Sequence, residues 1–219
     1  MNQVYLLDIE GTTTPISFVY EVLFPYAREH FGSFLEEHWG NPEVRSEAAG
    51  LSEAAPQSPS EASAAAHALM DQDRKVGALK SLQGRIWEAG YRSGQLKSQL
   101  FSEVADRLRA YKAAGARVFI YSSGSVLAQK LLFAHTPEGD LTGLLDGYFD
   151  TAVGAKGDPD SYRRIAEKIG ATGLFATDIF SEAQAAREAG WQAVILNRPG
   201  NHPQPPHDFE VLTELPPAP

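Results

Sequence analysis

The second half of the chain alternates short apolar runs with segments whose apolar residues recur at helical spacing. The run RVFIYSS at 117–123 is rich in β-branched and aromatic residues and lies between Gly115 and Gly124; GLFATD at 173–178 and QAVILN at 192–197 repeat the form. Each predicts a short buried strand. Between them, FSEVADRLRAYKAAG sets Val104, Leu108 and Tyr111 on one helical face, with Ser102 as the expected N-cap and Gly115 past the end. DPDSYRRIAEKIG ends on Gly170, and SEAQAAREAG opens on Ser181 and closes on Gly190. At the N-terminus, VYLL at 4–7 predicts one more buried strand. Alternating strands and helices imply an α/β fold whose parallel sheet is covered on both faces.

Residues 16–97 break this rhythm with helical material. SFVYEVLFPYAREHFGSFLEEHW and MDQDRKVGALKSLQGRIWEAGYRSG both carry aromatics and leucines at helical spacing. The Ala/Ser/Glu-rich stretch between them, RSEAAGLSEAAPQSPSEASAAAHAL, reads as a solvated helix and loop. The expected organisation is a sheet domain of residues 1–15 and 98–219, interrupted after its first strand by a helical domain of residues 16–97. An insertion at that point is placed to cover whatever the first strand presents. The Pro-rich end, RPGNHPQPPHDFEVLTELPPAP, reads as a surface tail with one short strand.

Composition narrows the classes. With 219 residues and 43% hydrophobic content the chain supports a real core, and 19 basic against 28 acidic residues give a formal charge of −9. No Lys/Arg block stands out, so neither a nucleic acid nor an anionic membrane is an expected partner. There is no cysteine, which excludes disulfides, thiol catalysis and cysteine-ligated metal centres. The start, MNQVYLLDIEG, lacks the basic opening of a signal peptide, and no apolar run approaches the roughly 20 residues of a membrane span. A cytoplasmic location is expected.

The chemistry begins where the first strand ends. VYLL runs directly into Asp8 and Glu10, although burying an ionised carboxylate costs several kcal/mol unless something positive meets it. Ligands of an open parallel sheet bind beyond the carboxyl ends of its strands. Asp8 and Glu10, Ser122 and Ser123, Lys156, and Asp178 with Glu182 all fall at such ends. Each alone has a plain structural explanation as a cap, a turn hydroxyl or a surface lysine. Together they supply acids, hydroxyls and a cation in complementary roles. In YSSGSVLAQ a strand gives way to a helix whose free N–H groups favour a phosphate. Carboxylates beside a phosphate repel it, and a Mg²⁺ ion resolves the conflict by taking oxygens from both. Asp8 and Asp178 are the expected ligands, and Lys156 neutralises remaining phosphate charge. Asp8 can also attack phosphorus. Glu10, expected on the same side of the strand, can then protonate the leaving oxygen and deprotonate the hydrolytic water.

DIEGTT after a strand, a serine at the next strand end, a downstream lysine and TDIFSE resemble the four motifs of the haloacid-dehalogenase-like phosphatases. Glu10 stands where most members have Asp. With DIEGTTTPISFVYEVLFPYAR, LQGRIWEAGYRSG, YSSGSVLAQKLLF, GDLTGLLDGYFDT, SYRRIAEKIG and RPGN, the chain resembles the enolase-phosphatases (acireductone synthases) of methionine salvage from residue 4 to about 201. The resemblance implies a Rossmann-like core, a helical cap, Mg²⁺, a monomer and a small phosphorylated diketone substrate, 2,3-diketo-5-methylthiopentyl-1-phosphate. That substrate is enolised and then dephosphorylated. By position, Asp8, Glu10 and Asp178 match metal-site residues, with Glu10 contacting the ion through its backbone carbonyl. Ser122, Ser123 and Lys156 match phosphate contacts. Where other members often carry two acids at the fourth motif, Thr177 precedes Asp178, and Glu182 is the expected replacement. Trp87 and Tyr91 read as cap core, and the six histidines show no zinc-site spacing. The rival readings are a phosphatase of another small monoester without an enolase step, a signalling phospho-acceptor, and an inactive binding module on the same fold.

Overall fold

The computed structural model describes residues 3–74 and 76–218. Among the described residues six strands form one parallel sheet: β1 (Val4–Leu7), β2 (Arg117–Tyr121), β3 (Gly147–Phe149), β4 (Leu174–Thr177), β5 (Gln192–Leu196) and β6 (Glu210–Leu212). Their order is β3-β2-β1-β4-β5-β6. The chain therefore builds outwards from β1 on one side and from β4 on the other. This is the Rossmann-like arrangement, and its strand order reverses between β1 and β4, where a crevice opens beyond the carboxyl ends. Register fixes that crevice: Leu6 pairs with Phe119 of β2 and with Phe175 of β4.

Eight α-helices occur among the described residues: α1 (Phe24–His38), α2 (Pro42–Ala49), α3 (Pro59–Asp71), α4 (Gly77–Arg92), α5 (Val104–Ala113), α6 (Val126–Ala134), α7 (Pro159–Ile169) and α8 (Phe180–Glu188). The chain divides into two compact units, Met1–Val19 with Lys97–Pro219, and Tyr20–Leu96. A π-helical segment, Phe18–Leu23, spans the first junction.

In the sheet unit, alternation along the strands sorts side chains onto two faces. Val4 and Leu6 join Phe119, Tyr121 and Phe175, and the helices α7 and α8 cover them with Tyr162, Ile165, Ile169, Ala185 and Ala186. On the opposite face Tyr5 stacks on Tyr111 of α5, ring centroids 3.9 Å apart. Close approach of β1 and β4 requires a glycine. A Cβ on Gly173 would lie 2.1 Å from Val4 O. In the helical unit, α1 packs on α3 and α4 through Ala27, Phe31 and Leu35. Trp87 Nε1 donates to Leu23 O at 2.8 Å, so Trp87 and the buried Tyr91 are core residues of this unit.

Several local expectations need correction. The 45–69 stretch does form helix and loop, the end of α2 and most of α3, but it is less solvated than expected, since Ala48, Ala62 and Ala66 are buried. The helical pattern of 70–94 is broken between α3 and α4, where Asp73 takes a positive φ of 49°. Neither Ser102 nor Ser181 caps a helix: α5 starts after Glu103 and α8 after Ile179, neither with a side-chain cap bond. At α8 a distant side chain and a nearby one replace the expected serine cap: Phe180 N donates to Gln204 Oε1 at 2.8 Å, and Ile179 N to the neighbouring Thr177 Oγ1 at 3.2 Å.

Candidate active site

Asp8 follows β1 directly and is 2% exposed; its own N–H donates to Ala176 O of β4 at 3.0 Å. The next residues do not continue the strand. The N–H groups of Thr12, Thr13 and Thr14 converge on Ile9 O at 3.1, 2.9 and 2.9 Å, closing a tight turn. Glu10 is therefore aimed by a turn, and the expectation that strand alternation would bring it beside Asp8 is replaced by this geometry. Its Oε2 accepts from Ser122 Oγ at 3.3 Å. Gly11 adopts a φ of +69°, and a Cβ there would sit 2.4 Å from Asp178 Oδ2. A side chain at residue 11 would invade the acid cluster.

Ser122 leaves β2 buried, accepting from Gly124 N at 3.1 Å, while Ser123 is half-buried beside it. The helix start beyond is partly self-satisfied. Ser125 caps α6 by accepting from Ala128 N at 3.2 Å, so that one N–H is not free for an anion.

Lys156 belongs to the loop after β3, and four side chains hold that loop by four consecutive carbonyls. Arg164 Nε donates to Val153 O at 2.6 Å, Tyr121 OH to Gly154 O at 2.9 Å, Ser161 Oγ to Ala155 O at 2.8 Å, and Tyr162 OH to Lys156 O at 2.8 Å. No local motif announces this support. It turns the ammonium inward, where Nζ lies 2.5 Å from Asp8 Oδ1 and 2.7 Å from Glu182 Oε2. Asp8 Oδ1 also accepts from Ile9 N at 2.7 Å. Among the described residues Oδ2 is less engaged, accepting from Thr177 Oγ1 at 3.3 Å. That hydroxyl lies closer to Glu182 Oε2, at 2.8 Å. Glu182 thus anchors Lys156, a role its sequence position alone did not specify.

Of the four carboxylates here, those of Asp8 and Glu182 pair directly with the Lys156 ammonium, whose charge also acts on Glu10 and Asp178. Burial, then the charge of Asp8, pushes Asp178 up to about 7 and Glu182 up to about 7. The same two causes raise Glu10. Burial alone would weaken proton binding by Lys156, but Asp8, Glu182 and Glu10 outweigh it and hold the ammonium above the ordinary lysine range. The cluster is short of positive charge. Its donors are all oxygen, which suits a hard divalent cation. Among the described residues no three Asp, Glu, His or Cys side chains are grouped to hold an ion by themselves.

A family model described as haloacid dehalogenase-like hydrolase matches residues 3–190. A probable bifunctional methylthioribulose-1-phosphate dehydratase/enolase-phosphatase E1 of Physcomitrium patens is 45% identical over 98% of this chain; the chain spans about half, 48%, of that relative's length. The enolase-phosphatase E1 of Frankia alni is 48% identical, with 90% of each chain covered. Among solved structures, the Unknown transcript 4 protein of Saccharomyces cerevisiae matches with a TM-score of 0.85 and 37% identity, over 98% of this chain and 99% of that one. The strand order, the acids at the ends of β1 and β4 and these likenesses converge: the chain belongs to the haloacid dehalogenase-like hydrolases and, within them, to the enolase-phosphatases.

Proposed function

We propose that this protein is a Mg²⁺-dependent enolase-phosphatase of methionine salvage, acting as a cytoplasmic monomer. Its substrate in this reading is 2,3-diketo-5-methylthiopentyl-1-phosphate. The substrate is enolised and its ester hydrolysed to 1,2-dihydroxy-3-keto-5-methylthiopentene and phosphate. The observation that carries the reading is the buried Asp8 carboxylate, held by Lys156 with one oxygen left lightly engaged, beside the Ser122–Glu10 contact.

Asp8 attacks phosphorus, an acyl phosphate forms on its carboxylate, and the bond from phosphorus to the ester oxygen breaks. Glu10 gives its proton to that departing oxygen. It then takes a proton from a water that attacks the acyl phosphate, which frees phosphate and restores Asp8. The raised proton affinity of Glu10 suits both steps. Ser122, Ser123 and Lys156 hold the phosphate oxygens. The side chains of Asp8 and Asp178 and the backbone carbonyl of Glu10 would hold Mg²⁺. Bound there, Mg²⁺ supplies Lewis-acid polarisation of carbonyl and phosphoryl oxygens. The unit Tyr20–Leu96, inserted just after the catalytic loop, is assigned the role of cap domain.

The test is a substrate panel, with and without Mg²⁺, comparing the diketo phosphate with simple phosphate monoesters. The expected result is Mg²⁺-dependent turnover strongly favouring the diketo phosphate. Equal turnover of plain monoesters would replace the reading with that of a general phosphatase.

A further inference from the structure

Outside the proposed catalytic set, the half-buried amide of Asn201 faces the same corner of the site. Asn201 Nδ2 donates to Gly11 O at 2.9 Å and Leu196 O at 3.0 Å. These bonds fix which end of the amide is oxygen, because reversal would set it against two carbonyls. Arg198 Nη2, paired with Glu103, donates to the adjoining Thr12 O at 2.9 Å. The turn from Arg198 to Asn201 thus grips two consecutive carbonyls of the loop that carries Glu10. Asn201 Oδ1 is left buried without a hydrogen-bond partner among the described residues. It borders the same point as an Asp178 oxygen. A Cβ built on Gly11 would lie 2.8 Å from Asn201 Oδ1 and 2.4 Å from Asp178 Oδ2. The two oxygens are therefore neighbours, and a buried acceptor left without a donor calls for one.

We propose that Asn201 is a positioning residue of the cation site, its Oδ1 accepting a hydrogen bond from a water bound to the ion that Asp178 ligates. The proposal rests on the Mg²⁺ reading above. Groups that orient a metal's ligands without touching the metal commonly change its affinity by about 10–100-fold.

The test is direct binding of Mn²⁺ to the substrate-free protein, read by electron paramagnetic resonance of the free ion. Wild type, Asp178→Asn, Asn201→Leu and Asn201→Asp are compared, with urea midpoints recorded for each. The expected result is Mn²⁺ binding by wild type, loss in Asp178→Asn, and about 10–100-fold weakening in Asn201→Leu. Asn201→Asp keeps an oxygen acceptor and should bind no more weakly than wild type, although it forfeits both amide donors. Should Asn201→Leu not fold, Asn201→Ala carries the same expectation. Wild-type affinity in Asn201→Leu overturns the proposal. Equal weakening in the Leu and Asp variants also overturns it, because the amide is then only scaffold. Absence of Mn²⁺ binding by wild type instead overturns the cation reading itself.

Discussion

At the scale of single residues, the site is a balance of charges that burial makes costly. Lys156 is the one ammonium shared by Asp8 and Glu182, and its side chain is only 9% exposed. Removing one partner of such a buried pair typically costs about 3–5 kcal/mol. Lys156→Met is therefore expected to lower stability at pH 8 by about 3 kcal/mol in urea titrations. The loss should shrink towards pH 5, where Glu182, raised to about 7, is protonated. A pH-independent loss would mean that packing, not charge, explains the effect. Glu10 is engaged by Ser122 and removed from Lys156's direct contacts, which leaves its carboxyl for proton transfer. Glu10→Gln should lower kcat by about 10²–10⁴-fold with the fold intact. A kcat close to wild type in steady-state phosphate release would remove Glu10 from the proton-transfer role.

At the scale of elements, β1, β2, β4 and β5 were legible because each is a continuous apolar run, the signature of a strand buried on both faces. The helices α7 and α5 were legible from periodicity and their terminal glycines. Much of what the sequence concealed depends on distant partners. β3 is a three-residue edge strand with no long apolar run, and the start of α8 is satisfied by Gln204 rather than by a neighbouring serine. Site residues followed the same division. Asp8, Ser122 and Asp178 stand at strand ends and could be found by position, whereas the four donors that hold the Lys156 loop come from β2 and α7. Gly173 tests the element scale. In Gly173→Ala the new Cβ would meet the backbone of β1, so β1 and β4 must part at the strands that carry Asp8 and Asp178. A loss of about 1–3 kcal/mol is expected in chemical denaturation. An unchanged midpoint would show that the strands yield without cost.

At the scale of the whole molecule, the acid cluster makes stability depend on pH and, in the proposed reading, on cation. Asp178 and Glu182, each raised to about 7, bind protons more tightly when folded than when unfolded. Their contribution is present at low pH and is lost as pH rises from the unfolded carboxylate range towards about 7. The slope is about 1.4 kcal/mol per pH unit for each proton held only by the folded state. Metal-free protein should therefore melt at lower temperature at pH 8 than at pH 6. Saturating Mg²⁺ should reverse much of that difference, because the ion binds the ionised acids. Calorimetric scans showing no Mg²⁺ effect at pH 8 would contradict the cation assignment. Among the described residues no helix is long and apolar enough to cross a membrane.

The most direct test of the central claim follows the diketo phosphate in a single time course, reading enol absorbance and free phosphate together for wild type and Asp8→Asn. The account expects enol absorbance to rise ahead of phosphate in wild type, and no phosphate from a fully folded Asp8→Asn. Phosphate released by that variant at the wild-type rate, or released by wild type without a preceding enol, would contradict it.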